Sequence, residues 1–374
     1  MRNRAFRLVV VLFVIISAVS QLSRGVLAED EPQSKKDSVP TISADGTIIL
    51  PSIRVPLSEH LSRQAAEAVA EYFNVLNRSA REGIDYNDAK YVSDFFARGP
   101  VLAARLYPTK MTEAEIAGVR IRTYLPRDGR VDDERRILIN LHGGGFRTGW
   151  PDIADEESVP IASKGHFKVI SVDYRETPNH FPAASEDVAA VYRELLKTHH
   201  AEQIGIYGCS AGGFLVAESL AWFQEHGLPR PGAAGIFCSS AEGYSGGDAD
   251  YLSGPLIGMA AEDPTKWGAS RGVDGAPYFQ GADFNSPLVS PIVSDRTLSQ
   301  FPPTLIITAT RAGDMSAAVF THSKLVSLGV DAELHVWEGL PHGFYAFLPD
   351  LPESRQAVDV IVNFFHKHLD ENRK

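Results

Sequence analysis

Apolar residues recur at three- and four-residue steps early in the chain, and this period is typical of an amphipathic helix. It predicts one helix over Leu57–Phe73 and a second helical stretch near Tyr86–Ala97. From Val119 to Thr123, β-branched residues alternate with arginines, which predicts a strand with one solvent-facing side. The apolar positions of the first helix are Leu57, Leu61, Ala65, Ala68, Val69 and Phe73.

Short apolar runs then alternate with longer helical stretches along the rest of the chain. This alternation predicts an α/β fold, with a mainly parallel sheet and helices on both faces. In such sheets, functional residues lie at the carboxyl ends of strands, where loops turn into helices. The predicted strands are Ile137–Leu141, Val169–Val172, Ile204–Tyr207, Ala234–Cys238, Leu305–Thr308 and Leu334–Val336, and the predicted helices are Ala183–Leu196, Gly212–Phe223, Ala317–Leu328 and Ser354–Leu369.

The first 28 residues have the order of a secretory signal peptide. Met1–Arg7 is basic, Leu8–Val19 is apolar apart from Ser17, and Val26-Leu27-Ala28 precedes Glu29. The apolar run is shorter than the ~20 residues that a membrane-spanning helix needs. We therefore expect residues 1–28 to be removed on secretion or export to a periplasm, which leaves no membrane span. An uncleaved N-terminal anchor is the alternative.

The composition is that of a globular chain with a sizeable core. Among 374 residues, 44% are hydrophobic and 22% are charged. The net charge of −11 offers no electrostatic footprint for nucleic acid. Two cysteines, Cys209 and Cys238, are too few for a disulfide framework or a multi-cysteine metal site. They end adjacent predicted strands, so a disulfide between them and a buried pair of free thiols both stay open.

A tight turn of small residues indicates a serine nucleophile. Gly208-Cys209-Ser210-Ala211-Gly212 follows the strand Ile204–Tyr207 and opens a helix, which is the context that the G-x-S-x-G pattern requires. Side chains on the two outer glycines would collide with neighbouring backbone, whereas Ser210 is left exposed on the turn. The helix N-terminus behind it favours the negative charge of an oxyanion. A plain turn is the alternative.

A glycine-rich loop follows the strand Ile137–Leu141. In His142-Gly143-Gly144-Gly145-Phe146, three consecutive glycines let the backbone approach a ligand and direct N–H groups at it. This arrangement predicts an oxyanion hole with donors from Gly143, Gly144, Gly145 and Ala211, the residue after the nucleophile. A flexible loop is the alternative.

A serine hydroxyl needs a base to become a strong nucleophile, and an acid must orient that base. His342 lies in the loop after the late strand Leu334–Val336, so we predict that it is the base. Asp314 is the single acid in the loop after Leu305–Thr308, and Glu242 is the alternative acid. The order Ser210, Asp314, His342 is the chain order of α/β-hydrolases.

Together these motifs resemble the hormone-sensitive-lipase family of α/β-hydrolases, in its microbial esterase branch. The resemblance covers roughly Val55 to the C-terminus, and it implies a hydrolase domain over 55–374. The chain before it is polar with scattered Pro and Gly, which predicts a linker over 29–54. The resemblance also implies an eight-stranded sheet and an N-terminal helical cap over 55–110. It assigns Ser210 as nucleophile and His342 as base. The motifs are His142–Gly145, Val172–Arg175 with Pro178 and Phe181–Ala183, Gly208–Gly213, Ser286–Pro291, and Glu338-Gly339 with His342–Phe344.

Three positions depart from the family pattern. Cys209 stands where the family usually has Asp, and the segment 179–181 is one residue shorter than usual. In the family the catalytic Asp directly follows the residue equivalent to Arg311, where this chain has Ala312. The nearest acid, Asp314, comes two residues later.

The expected activity is hydrolysis of short-chain carboxylic esters, which needs no organic cofactor and no metal. Two alternatives stay open: amide or peptide hydrolysis on the same triad, and a binding protein on an impaired hydrolase scaffold, which Ala312 favours. The expected partner is a small-molecule ester, and a homo-oligomer is compatible with the sequence. The candidate walls of an apolar acyl pocket are Phe146, Trp150, Phe214 and Phe344, for which ordinary core is the alternative.

The signal-peptide prediction has a direct test. If the basic start and short apolar run direct export, peptidase cleavage follows Ala28, and mass spectrometry of the exported protein finds Glu29 as the first residue. Membrane-bound protein that still carries residues 1–28 contradicts the prediction and favours the anchor.

Overall fold

The computed structural model describes residues 39–85, 88–243, 246–259 and 276–369. The chain divides into two units, one ending at Pro56 and the other beginning at Leu57. The predicted signal peptide lies outside the described residues, as does the first part of the predicted linker.

The first unit contains a short hairpin in the segment predicted as a linker. Its strands are β1 (Thr41–Ile42) and β2 (Ile48–Ile49), which pair antiparallel. The turn is closed by a hydrogen bond of 3.0 Å from the Gly46 amide to Ser43 O, and Asp45 Oδ1 accepts a hydrogen bond of 3.0 Å from the Thr47 amide. A loop of three to five residues that contains glycine between β-branched runs is a hairpin signal, so this departure from a plain linker was readable in the sequence.

The second unit is built on an eight-stranded sheet with the order β10-β9-β8-β7-β5-β6-β4-β3. The six strands from β10 to β6 pair in parallel, and β4 and β3 extend the sheet antiparallel. The predicted mainly parallel eight-stranded sheet is confirmed. The strands are β3 (Thr109–Ile116), β4 (Val119–Pro126), β5 (Ile137–Leu141), β6 (Lys168–Val172), β7 (Ile204–Cys209), β8 (Ala233–Phe237), β9 (Thr304–Arg311) and β10 (Ala332–Pro341).

Helices cover both faces of this sheet, as predicted. Ile139 of β5 belongs to one buried cluster and its neighbour Leu138 to the other, because successive side chains of a strand face opposite sides. The described helices are α1 (Arg63–Glu82), α2 (Lys90–Phe96), α3 (Arg98–Leu106), α4 (Asp152–Gly165), α5 (Ala183–Leu195), α6 (Ala211–Glu225), α7 (Asp248–Leu256), α8 (Asp295–Leu298), α9 (Met315–Ser327), α10 (Phe344–Phe347) and α11 (Pro352–His368). None of the helices in these described ranges is long and apolar enough to span a membrane.

The first helix begins later than predicted. Ser62 caps α1, since its Oγ accepts a hydrogen bond of 3.1 Å from the Ala65 amide. The Ser62 amide donates to Glu353 Oε1 of α11 at 2.7 Å, which ties the cap to the domain. The apolar side chains of Leu57 and Leu61, which suggested a helix, pack on the core from a non-helical segment.

Several of the described elements were not predicted, and two of them lie beside the site-bearing strands or at the sheet edge: α4 and β3. Strand β3 lies at the sheet edge with mostly exposed side chains, so it lacks an apolar alternation. Helix α4 contains Pro160 and buries the polar residues Glu156, Glu157 and Ser158. Because part of its buried face consists of acids and a hydroxyl, this helix lacks the regular spacing of apolar residues that predicts a helix.

Candidate active site

Ser210 occupies a strained turn between β7 and α6. Its φ of 57° and ψ of −123° lie in a region that non-glycine residues rarely adopt. The Ser210 amide donates to Phe237 O of β8 at 2.9 Å, and its carbonyl accepts from the Phe214 amide at 3.0 Å. A Cβ on Gly208 would lie 2.2 Å from Leu141 O, so this position requires glycine. Ser210 is partly exposed, as predicted for the turn.

The glycine loop lies against this turn. A Cβ on Gly143 would lie 3.5 Å from Ser210 Cβ, so the loop leaves room for about one carbon atom between its backbone and the serine. Gly144 adopts a φ of 119°, and a Cβ there would lie 1.6 Å from Thr148 O. Only glycine permits this fold of the loop. The loop is therefore a defined turn rather than a generic flexible connection.

The four predicted oxyanion donors divide into two groups. The Gly143 amide donates to Glu157 Oε1 at 2.9 Å, so it is occupied, and its prediction as an oxyanion donor is corrected. Within the described part of the chain, the amides of Gly144, Gly145 and Ala211 have no hydrogen-bond acceptor. Gly144 and Gly145 are also partly exposed beside Ser210. These three amides therefore remain the candidate oxyanion donors.

His142, at the start of the loop, is an anchor. Its ring is fully buried and stacks on Tyr174 with a centroid distance of 4.4 Å. Its Nδ1 lies 2.8 Å from Gly143 O, which as a carbonyl oxygen accepts the Nδ1 proton. The Tyr174 hydroxyl donates to His142 O at 2.6 Å. Burial lowers the pKa of His142 to about 4, so the imidazole is neutral at neutral pH.

The structure joins the predicted base to the predicted acid. His342 follows β10, Asp314 precedes α9, and 2.6 Å separates His342 Nδ1 from Asp314 Oδ1. Asp314 is fully buried, whereas the His342 side chain is 32% exposed. Thr308 Oγ1 donates to Asp314 Oδ2 at 2.5 Å, so both carboxylate oxygens have partners. The carboxylate therefore directs the other ring nitrogen of His342 away from itself.

Two consecutive turns connect β9 to Asp314, which lies two residues after the position that the acid usually has in the family, and Asp314 reaches His342. The Ala312 amide donates to Ala309 O at 3.1 Å, and the Met315 amide donates to Ala312 O at 3.2 Å. This extra bend turns Asp314 back toward Thr308. The backbone amide of the alternative acid, Glu242, donates a hydrogen bond of 2.9 Å to Ser240 Oγ. No hydrogen bond among the described residues connects Glu242 to His342.

The predicted acyl-pocket walls need correction. The side chains of Phe146, Phe214 and Phe344 are fully buried, so they belong to the core rather than to a wall open to solvent. Phe146, for example, stacks on Tyr278 with a centroid distance of 4.7 Å. Trp150 is partly exposed, and the guanidinium groups of Arg120 and Arg122 each lie 5.5 Å from its ring.

Both cysteines are free and buried, which decides between the two alternatives left by the sequence. In the described ranges, no cluster of three or more histidine, cysteine or acidic side chains could hold a metal ion. Sequence reasoning missed two residues that contact the site, Thr308 and Glu157. Thr308 ends a predicted strand beside the acid loop, which was a usable signal, whereas Glu157 lies in the helix that the pattern hides.

Comparisons with known proteins agree with this geometry. A family model described as the alpha/beta hydrolase fold matches residues 138–346. An acetyl-hydrolase of Streptomyces hygroscopicus is 28% identical over 242 residues, which cover 64% of this chain and 78% of that protein.

Two solved structures are similar along most of the chain. The crystal structure of an esterase, E25, is 26% identical with a TM-score of 0.70, and it covers 86% of this chain and 99% of its own. A structure of an esterase from the bacterial hormone-sensitive lipase family has a TM-score of 0.67 at 23% identity, and it covers 81% of this chain and 99% of its own. This second likeness concerns the fold.

Proposed function

Because the chain belongs to the α/β-hydrolase fold family, we propose that it is a serine carboxylic ester hydrolase that uses Ser210, His342 and Asp314. The predicted resemblance is confirmed for the α/β-hydrolase fold, and the chain is an esterase-like α/β-hydrolase. The observation that carries the finer proposal is the 2.6 Å contact between His342 Nδ1 and the buried carboxylate of Asp314. It supports an acid–base pair at the strand ends where the serine turn also lies.

The proposed first step is acylation. His342 accepts the Ser210 proton while Ser210 Oγ attacks the ester carbonyl carbon. The π electrons of the carbonyl move onto its oxygen, and the amides of Gly144, Gly145 and Ala211 stabilise the resulting oxyanion. His342 then protonates the leaving alcohol as the carbonyl reforms. Asp314 stabilises the positive charge on the imidazole during this step.

Deacylation repeats the sequence with water as the nucleophile. His342 removes a proton from water, the hydroxide attacks the acyl carbon, and the proton passes to Ser210 Oγ as the acid leaves. The mechanism uses side chains and backbone amides of this chain. Water and ester are the only other reactants.

The proposed substrates are esters with short acyl chains. The acetyl-hydrolase similarity supports this choice. We further propose that residues 1–28 direct export, so that the enzyme meets its substrates outside the cytoplasm.

Replacement of the nucleophile is the first test. Ser210→Ala removes the attacking oxygen, so we expect turnover of p-nitrophenyl acetate to fall by about 10⁴–10⁶-fold. A fluorophosphonate probe should label the unsubstituted protein at Ser210 and fail to label the variant. The exposed Ser299→Ala is the matched control and should keep both properties. Unchanged turnover in Ser210→Ala contradicts the proposal, and preference for the matching p-nitroanilide favours amide hydrolysis.

Replacement of the acid is the second test. Asp314→Asn keeps the size of the side chain but removes the charge that stabilises the imidazolium, so we expect kcat to fall by about 10⁴-fold. Glu242→Gln is the control and should keep kcat, because Glu242 makes no hydrogen bond to His342. Thermal midpoints measured beside kcat separate lost chemistry from lost folding. A large loss in Glu242→Gln alone moves the acid to that residue.

A further inference from the structure

Glu157 is a fully buried acid directly behind the glycine loop. It lies on α4, the helix that follows the loop, with a side chain only 1% exposed. Its Oε1 accepts the Gly143 amide proton at 2.9 Å. A Cβ on Gly143 would lie 3.3 Å from Glu157 Oε1 and 3.5 Å from Ser210 Cβ. Gly143 is therefore packed between this acid and the nucleophile.

A buried chain of hydrogen bonds holds the Glu157 carboxyl in place. Asn140 Nδ2 of β5 donates to Glu157 Oε2 at 2.8 Å. Asn140 Oδ1 in turn accepts from Ser171 Oγ of β6 at 2.8 Å. Ser158 Oγ, the residue after Glu157, lies 2.7 Å from Ser171 Oγ. The acid is thus fixed to two sheet strands and to its own helix, and it presents one oxygen to the loop.

Amides of the glycine loop stabilise an oxyanion only if their N–H groups point toward it. Each peptide unit is planar, so the φ and ψ of the residue between two units set the direction of one amide relative to the next. In this loop φ is 119° at Gly144 and 66° at Gly145. Gly143 donates inward to Glu157, and the next amides, those of Gly144 and Gly145, have no acceptor within the described residues. An acceptor for the first amide therefore limits the directions open to the next two.

We propose that Glu157 is a positioning residue for the oxyanion hole: by accepting the Gly143 N–H, it holds the loop so that the Gly144 and Gly145 amides face Ser210. The inference rests on the proposed ester hydrolysis and adds a residue that does not touch the substrate. Its action passes through the backbone of Gly143.

The protonation state of Glu157 decides which substitutions test this role. Burial raises the pKa of Glu157 to about 8, against the lowering effect of hydrogen bonds from Asn140 and the Gly143 amide. The carboxyl is therefore mostly neutral at pH 7. A glutamine amide has nearly the same shape as a neutral carboxyl and keeps an oxygen for Gly143. Its NH2 group replaces the oxygen that accepts from Asn140 Nδ2, so the Asn140 amide turns over and accepts through Oδ1. Methionine has a similar length and lacks a strong acceptor.

The neighbouring acid provides a matched control. Glu156 is also buried, at 3% exposure, and burial raises its pKa to about 9. Its carboxyl faces α3, where a Cβ on Gly99 would lie 2.1 Å from Glu156 Oε1. Glu156 has no hydrogen bond to the loop among the described residues. Glu156→Met thus repeats the substitution without touching the loop.

The experiment compares Glu157→Gln, Glu157→Met and Glu156→Met in the full chain, with p-nitrophenyl acetate as substrate. In Glu157→Met we expect kcat to fall about 10–100-fold, as for a misplaced oxyanion donor, with KM within about twofold of its original value. Glu157→Gln and Glu156→Met should keep kcat within about threefold. A purely structural role would lower the thermal midpoint and leave kcat of the folded fraction unchanged.

A trifluoromethyl ketone gives a second readout, because Ser210 adds to its carbonyl and creates an oxyanion in the same place. Its inhibition constant should rise in Glu157→Met by the same factor as kcat falls. If Glu157→Met does not fold, Glu157→Asp withdraws the acceptor by one methylene and should show smaller losses in both quantities.

Three results overturn the inference: unchanged kcat in both Glu157→Met and Glu157→Asp, equal losses in Glu157→Gln and Glu157→Met, or an equal loss in Glu156→Met. Failure of the proposed function is separate. If Ser210→Ala abolishes activity while the position 157 series keeps it, only the positioning role is wrong. If Ser210→Ala keeps its activity, the ester hydrolysis mechanism is wrong whatever position 157 shows.

Discussion

The parallel pairing of β5 with β7 is the constraint on which the site depends. In their register Leu141 lies opposite Gly208, so the last residue of one strand meets the turn that ends the other. A Cβ on Gly212 would lie 1.8 Å from Leu141 O, closer still than the 2.2 Å at Gly208. Because the backbones touch, the serine turn and the glycine loop form one packed unit. The positive φ of Ser210 is maintained by this contact with the neighbouring strand.

The same sheet brings the proposed base, His342, and the proposed acid, Asp314, to the same edge. β9 and β10 run parallel to β7, so the loops after them emerge at the carboxyl ends where Ser210 lies. The buried Asp314 would be costly alone, because desolvation disfavours a charged carboxylate. Hydrogen bonds from Thr308 and His342 offset that cost. The acid is thus held rigidly, while the histidine keeps one side partly exposed.

Polar groups inside helix α4 extend this support below the loop. Glu157 contacts the Gly143 amide, and Ser158 and Asn140 connect it to the sheet. A buried polar chain of this kind specifies one arrangement, because each unpaired member would cost free energy. The glycine loop therefore gains from its surroundings the order that its own glycines cannot provide. A glycine-rich segment, flexible by itself, is held in one conformation by the polar residues around it.

The sequence alone determined the fold class, and it suggested the residue types of the proposed site. Alternation of apolar runs and helical stretches predicted the sheet, since period and length are local properties of the chain. The glycines around Ser210 were also readable, because a tight turn excludes side chains wherever it occurs. The choice of Ser210 and His342 followed from their positions after strands.

Tertiary structure decided which groups meet across long separations in the chain. Asp314 and Glu242 were both possible acids, and only the two turns after β9 bring one of them within 2.6 Å of His342. The sequence could not show that the Gly143 amide donates its hydrogen bond to Glu157, because that acid lies 14 residues away on a helix without an apolar period. Hydrophobic patterning reports burial against a core, whereas hydrogen-bond partners inside the protein depend on how distant segments pack.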